Sequence, residues 1–394
     1  MTLLEELKWR GFINQTTFKD PSVLNKQKFT FYFGVDPSAD SMQVGNLAAA
    51  MMVRHFIDYG HKAILLVGGA TGMIGDPDGK DEERQLKSLE EVAKNKAGIS
   101  AQYRTIFNDK EFDLVDNYDW FKDLGYLNFL RDIGKHFSMT QLLDREFIKS
   151  RIGKGGKGIS YAEFSYSLIQ GYDFLHLFRK KGATLQLCGA DQWGNSITGV
   201  DLIRKLEGAE AHVWSTPLVI NKSTGKKFGK TEGGAVWLDP KKTSIFDFYQ
   251  FWLNADDEGV FDYLKVFTLL PKDEILHVIE QFKADKPGRL AQKTLAYEVT
   301  KLVHGEAAAI EAKKATEDLF KGGENVPTVS VETGRINVAE LLIKANLAKS
   351  RSEAQRLLAQ GGVKLNQQKV DQDEITIAEG DLLQVGKRRF VRIK

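Results

Sequence analysis

Three sets of residues in this chain have types and spacings suited to chemistry. The first is the pair of lysines in Lys227-Phe228-Gly229-Lys230-Thr231. Two cations, a hydroxyl and a glycine hinge on one short loop suit the stabilisation of charge on transferring phosphates. Taken alone, the same five residues also read as a solvated basic turn. The second is DPSADSMQVGNL, Asp36 to Leu47, a run of small polar residues ending in a candidate helix start. The third is Tyr166, Gln170 and Asp173, spaced i, i+4 and i+7 so that one helical face presents all three. An acid and an amide there interrupt a segment otherwise rich in Phe, Leu and Tyr. Such a face is built to hydrogen-bond something polar, although a lone Asp on a helix is most often solvated.

The elements that must position these residues alternate. KFTFYFGV (28–35) has strand periodicity and ends at the turn Asp36-Pro37-Ser38. A helix follows over 46–59, then a strand over 62–67 and the glycine-rich segment Gly68 to Lys80. Beyond it come a helix near 88–107, a strand near 112–116, a helix over 160–181, a strand over 184–188 and a helix over 191–206. A further strand is expected at Pro217–Ile220. Strands alternating with helices predict an α/β, Rossmann-like domain with a mostly parallel sheet. Ligands in such sheets lie beyond the carboxyl ends of the strands, and the unusual residues fall after three strands, at 36–46, 68–80 and 189–195. Asp191 is an apt N-cap there, and Trp193 reads as core. From 243 to 320 the pattern is helical. Residues 321–334 read as a linker, and 335–394 as two short helices followed by short strands. The expected organisation is therefore 1–235 catalytic, 236–320 helical, 321–334 linker and 335–394 a small α+β domain.

Composition narrows the class. The chain has 394 residues, with 42% hydrophobic and 27% charged, the profile of an ordinary globular protein. Its one cysteine, Cys188, excludes an internal disulfide and a cysteine zinc site. No apolar run approaches the ~20 residues of a membrane span, and the start lacks a signal-peptide core, so no membrane association and a cytoplasmic location are expected. The net charge of +2 is uneven. Residues 335–394 carry 12 Lys/Arg against 7 Asp/Glu, while the rest is net negative. A basic module behind an acidic body suits a nucleic-acid partner. Two familiar nucleotide loops are excluded by spacing. Gly69, Gly72 and Gly75 do not make G-x-G-x-x-G, and GDPDGK lacks the P-loop's first glycine and its Ser/Thr.

Five segments in order then carry a resemblance: DPSADSMQVGNL, Gly68 to Lys80, EFSYSLIQGYDF (163–174), LQLCGADQWGN (185–195) and KFGKT. Together they are similar to the class I aminoacyl-tRNA synthetases, in the bacterial tyrosine branch, over most of residues 30–235. The family's usual His-Ile-Gly-His is here Gln43-Val44-Gly45-Asn46. The amides of Gln43 and Asn46 still donate hydrogen bonds, but without a charge that depends on pH. The resemblance implies that the enzyme activates L-tyrosine with ATP and loads tRNA(Tyr). It implies that Gln43, Asn46, Lys227, Lys230 and Thr231 stabilise the phosphates. Tyr32 and Asp173 would bind the substrate phenol, and Tyr166, Gln170 and Asp76 its ammonium group. Gln192 would meet the carboxyl and α-phosphate. Asp36, Gly45, Gly189 and Asp191, with Lys230, would hold ATP, and Mg2+ would come with the ATP phosphates rather than in a dedicated protein site. Lys80 and Arg84 are weaker candidates near the pyrophosphate.

The tail resembles a small RNA-binding fold first described in a ribosomal small-subunit protein, through LAKSRSEAQRLLAQGGV (347–363). That likeness puts Lys349, Arg351 and Arg356 on RNA phosphates, with Lys387, Arg388 and Arg389 extending the patch; the resemblance to the synthetase family implies a homodimer. Lys154 and Lys157 in GKGGKG would meet the acceptor end of the tRNA. Three other readings compete: a synthetase-derived RNA-binding protein without activation, which Gln43 favours; the tryptophan enzyme, disfavoured by Tyr32 with Asp173; and a Rossmann oxidoreductase, disfavoured by the failed glycine spacing.

Overall fold

A computed structural model describes residues 1–77, 87–107, 110–143, 146–231, 234–320, 328–348, 350–366, 368–386 and 389–394. The chain forms two units, Met1–Ala309 and Ile310–Lys394.

The first unit is built on a six-stranded sheet of β1 (Gln15–Thr16), β2 (Thr30–Val35), β3 (Lys62–Val67), β4 (Phe112–Val115), β5 (Leu185–Gly189) and β6 (His212–Thr216). Their order across the sheet is β1-β6-β5-β2-β3-β4. All neighbours are parallel except β1 with β6. Strand order reverses between β2 and β5, so a crevice opens at their carboxyl ends. Alternation along β2 sends adjacent rings to opposite faces. Phe31 packs against Phe56 of helix Val44–Asp58, at 5.7 Å between centroids. Tyr32 meets Phe174 of helix Tyr161–Lys181, at 5.1 Å.

Helix Val44–Asp58 starts at that crevice. Gln43 is its N-cap residue, and the Gln43 amide N–H donates to Asn46 Oδ1 at 2.9 Å. Helix Tyr161–Lys181 opens with a capping box: Glu163 N–H donates to Ser160 Oγ at 3.2 Å, and Ser160 N–H to Glu163 Oε2 at 3.3 Å. Arg151 closes on the same buried carboxylate at 3.0 Å. Helix Trp193–Glu207 packs hard against helix Tyr161–Lys181 at Gly199, where an added Cβ would lie 2.7 Å from Phe174 Cβ. Helices Ile245–Leu253, Val260–Phe267, Lys272–Ala284 and Leu290–His304 make the helical part of this unit. The first helix, Leu3–Arg10, is tied to that part by a buried guanidinium. Arg10 donates to the carbonyls of Lys265, Thr268 and Leu270 at 2.7–2.8 Å and to Glu6 at 2.5 Å.

The second unit is α+β. Helices Val338–Lys344 and Arg351–Ala359 pack with a five-stranded sheet and a two-stranded one around Val338, Leu341, Leu342, Ala354, Val363 and Leu383. Thr328–Val329, within the stretch read as linker, pairs in parallel with the strand Arg389–Ile393.

Four sequence expectations need correction. The strand expected at 217–220 lies earlier, at β6, because Pro217 offers no N–H to continue the ladder. The glycine-rich segment is not all turn. Gly69–Ile74 is a short helix whose first amides are capped from outside, Gly69 N by Asp116 Oδ1 at 2.8 Å and Ala70 N by Asn117 Oδ1 at 2.7 Å. Asp191 does not cap the next helix; it lies in the 3-10 turn Ala190–Gln192, and Gln192 takes the cap position. Trp193 is half-buried rather than core and lines a second cavity with Phe137 and Ile197.

Candidate active site

A cavity of about 430 Å³ opens at the carboxyl ends of β2 and β5. Thirteen of the fifteen residues assigned to the catalytic, tyrosine and ATP sites line it: Tyr32, Asp36, Gln43, Gly45, Asn46, Asp76, Tyr166, Gln170, Asp173, Gly189, Asp191, Gln192 and Lys227. The backbone of Lys230 and Thr231 forms a short strand paired with Gly234–Ala235, and their side chains lie outside the described residues. Lys80 and Arg84 also lie outside them.

At the floor, Asp173 is 2% exposed. Asn117 Nδ2 donates to its Oδ2 at 3.1 Å, and Trp120 Nε1 to its Oδ1 at 2.9 Å. Burial pushes the Asp173 carboxyl up to about 8, against the pull of these two donors. Tyr32 is equally buried, and its hydroxyl has no hydrogen-bond partner. Burial first, then the nearby Asp173 carboxylate, hold the Tyr32 phenol well above its ordinary value, so it remains a donor. Gln170 Oε1 and Gln186 Oε1, which border the same cavity, are likewise buried without partners. Buried polar atoms are nearly always paired. Three orphans around one cavity mark where a polar ligand completes the bonding.

Higher in the cavity, Tyr166 donates to Asp36 Oδ2 at 2.8 Å, which joins two residues assigned to different substrates. Gln192 Nε2 donates to Asp76 Oδ2, and Asn195 Nδ2 to Gln192 Oε1 at 3.3 Å. On the opposite wall stands the N-terminus of helix Val44–Asp58, where the helix dipole and exposed backbone favour an anion. The lysine loop is stitched to this helix start. Phe228 N–H donates to Val219 O, Val236 N–H to Gly229 O, and Val44 N–H to Val236 O, at 2.9–3.0 Å. Gly229 has φ 92, and a Cβ there would come 3.1 Å from Gly45 N, so only glycine fits this approach without strain.

Three residues of the site escaped the sequence reading. Asn117 and Trp120 follow β4, and their position at the carboxyl end of a parallel strand was the available signal. Gln186 is a polar residue inside an otherwise apolar strand, a second usable signal. His176 stacks on Trp120 at 4.5 Å, and Cys188 is buried, which raises its thiol to about 12. In the second unit Arg351 and Arg356 are exposed on helix Arg351–Ala359. Lys349, Lys387, Arg388 and the side chain of Arg389 lie outside the described residues, and Lys154 and Lys157 are exposed.

Residues 24–321 match the family model of tRNA synthetases class I (W and Y), and residues 317–393 match the tyrosine--tRNA ligase SYY-like C-terminal domain. A tyrosine--tRNA ligase of Geobacillus kaustophilus is 43% identical over the whole of both chains. One from Limosilactobacillus reuteri is 41% identical, covering 94% of this chain and 92% of its own. Among solved structures, a C-terminally truncated mitochondrial tyrosyl-tRNA synthetase of Aspergillus nidulans superposes with a TM-score of 0.73 at 30% identity, covering 81% of this chain and 94% of its own. A tryptophanyl-tRNA synthetase of Encephalitozoon cuniculi, at 14% identity and TM-score 0.56, shares the fold. Motif order, sheet topology and these likenesses agree: the chain belongs to the class I tRNA synthetases of the tryptophan and tyrosine group, in the tyrosine--tRNA ligase family.

Proposed function

We propose that this enzyme activates L-tyrosine with ATP and transfers it to the 3′-terminal ribose of tRNA(Tyr). The tyrosine carboxylate attacks the α-phosphorus in line, pyrophosphate leaves, and tyrosyl-adenylate forms. A ribose hydroxyl of the tRNA then attacks the carbonyl and AMP leaves. One observation carries the amino-acid assignment: the partnerless Tyr32 hydroxyl beside an Asp173 carboxylate held by two donors. A phenol hydroxyl supplies what both lack. Phenylalanine would leave the Tyr32 hydroxyl unpaired and bring Asp173 no third donor, a kind of rejection for which tyrosine enzymes are the established example.

On this reading Asp76, Tyr166 and Gln170 hold the ammonium group, Gln192 the carboxyl and α-phosphate, and Asp191 the ribose. Asp36 positions ATP, while Gly45 and Gly189 let it approach the backbone. Gln43 and Asn46 donate to the phosphates, and Lys227, Lys230 and Thr231 stabilise the leaving pyrophosphate. Such chemistry needs placement and charge more than covalent help. Mg2+ would enter with the triphosphate, its ligands being phosphate oxygens and water. Residues 335–394, through Lys349, Arg351 and Arg356, grip the tRNA behind the catalytic (1–235), helical (236–320) and linker (321–334) segments.

A homodimer is supported by apolar side chains left in water in one stretch of chain: Tyr126 (60% exposed), Leu127 (77%), Met139 (57%), Ile152 (50%) and Tyr161 (61%). No helix among the described residues is long and apolar enough to cross a membrane, and the cytoplasm is the compartment this reading assigns.

The test is ATP–pyrophosphate exchange with tyrosine, phenylalanine or tryptophan. Exchange driven by tyrosine alone is expected, and exchange driven by tryptophan would overturn the specificity. Glutamine at position 43 favours a second reading, an RNA-binding relative without activation, and absence of any tyrosine-dependent exchange would select it.

A further inference from the structure

Phe228 is the apolar residue between the lysines of the loop. Its ring is 7% exposed. Four rings surround it: Tyr263 at 4.2 Å, Phe251 at 5.2 Å, and Trp252 and Phe267 at 5.6 Å between centroids. Phe251 and Trp252 belong to helix Ile245–Leu253, Tyr263 and Phe267 to helix Val260–Phe267, and none comes from the sheet. The socket is itself braced. Tyr263 donates to Asp256 Oδ2 at 2.8 Å, and Lys222, earlier in the loop, pairs with Asp262. On either side of Phe228 the chain faces the nucleotide half of the cavity. Lys227 lines it, and Gly229 is pressed against Gly45.

We propose that Phe228 is a positioning residue for the activation step, and that its aromatic socket on the two helices sets where the Lys227 ammonium stands over ATP. A lysine charge on a flexible stem is placed only as well as the backbone beneath it, and misplacement by about 1 Å can cost up to ~100-fold in rate. Two glycines, Gly225 and Gly229, adopt positive φ in this loop and leave its backbone adaptable. Backbone hydrogen bonds tether it, and a flat ring in a four-walled socket adds the side-chain anchor. Phe228 also borders the cavity, but with its ring seated in the socket it is assigned no substrate contact and acts through its neighbour. The inference rests on the proposed role of Lys227.

The test uses the full-length chain and tyrosine-dependent ATP–pyrophosphate exchange, with wild type, Phe228→Ala, Phe228→Leu, Lys227→Ala and the Lys227→Ala/Phe228→Ala double variant. Phe228→Ala is expected to lower kcat/KM for ATP about tenfold while KM for tyrosine stays within about twofold. Phe228→Leu, which keeps apolar volume without the ring, should fall between. In the Lys227→Ala background, removing Phe228 should cost less than threefold more, because its effect runs through that lysine. Additive losses, or equal rises in both KM values, would overturn the proposal, as would a Phe228→Ala enzyme with wild-type ATP kinetics. If Phe228→Ala loses tyrosine binding altogether, Phe228→Leu decides by the same split. Failure of the underlying reading looks different: Lys227→Ala would then leave exchange unchanged.

Discussion

Replacing Trp120 by phenylalanine removes one N–H and leaves an aromatic face for His176, which now stacks at 4.5 Å and 13°. The lost bond is the one from Nε1 to Asp173 Oδ1 at 2.9 Å. Burial has already pushed the Asp173 carboxyl to about 8, and the donors Asn117 and Trp120 are what pull it back. A hydrogen bond to a charged group is worth about 1.5–3 kcal/mol, so losing one of the two moves the carboxyl up by about one pH unit or more. A proton on Asp173 competes with the substrate phenol for the same lone pairs. Tyrosine binding to the wild-type enzyme should therefore tighten as pH rises from 6.5 to about 8 and level off above it. In Trp120→Phe the levelling moves to higher pH, and near pH 7.5 the affinity falls about tenfold. Equilibrium dialysis with labelled tyrosine across pH 6.5–8.5 measures both effects without relying on tryptophan emission. A flat wild-type profile, or a variant profile that is weaker but unmoved in pH, would refute the account of Asp173. The same shift has a sign for folding. The folded carboxyl stands above its ordinary 3.8, so the native state holds the extra proton and stability declines between about pH 4 and pH 8. Asp173→Asn should flatten that decline in thermal melts.

Other outcomes are expected. Gln43→His should leave exchange equal or modestly higher and add a pH dependence near the imidazole pKa of ~6.5; abolished exchange would mean the pocket is built around the amide. Arg351→Ala combined with Arg356→Ala should weaken tRNA binding and flatten its salt dependence, with log K against log[salt] less steep by about 1–2, while exchange without tRNA is untouched; filter binding at several salt concentrations reads this. Arg10→Ala strands the buried Glu6 carboxylate and three carbonyls, so denaturant melts should show a loss of about 3–5 kcal/mol. A loss under 1 kcal/mol would mean the guanidinium is not holding the first helix.

What the residues reveal on their own follows from distance along the chain. Tyr166, Gln170 and Asp173 are legible because helical periodicity brings them to one face whatever the rest of the fold does. Strands β2, β3 and β5 are legible because short apolar runs end at glycine or proline. Asn117 and Trp120 are another matter. They lie 53–56 residues before Asp173 and reach it only because β4 is the outer parallel strand beside β3. Nothing local in NYDW announces that neighbour. The helix Gly69–Ile74 was missed for a related reason: three glycine or alanine residues in six argue against a helix, and the caps that rescue it come from residues 116 and 117. No element was assigned between 117 and 159, although helices such as Tyr118–Phe121, Tyr126–Asp132 and Glu146–Ile152 occupy it. These helices are short and keep much apolar surface exposed, which blurs the periodicity that identifies a buried helix.

In the ladder between β2 and β5, Tyr32 stands opposite Gln186. Both residues line the cavity, and they share one rung near the middle of a six-stranded sheet. Central strands of a sheet are among the last parts of a fold to open. On the proposed roles, the choice of amino acid would rest on such backbone, while the triphosphate would be met by a loop with glycines at positive φ. Selection and catalysis are mechanically decoupled: heat or mild denaturant should silence adenylate formation well before the enzyme loses the ability to tell tyrosine from phenylalanine, and amide exchange should find Tyr32 and Gln186 among the slowest sites.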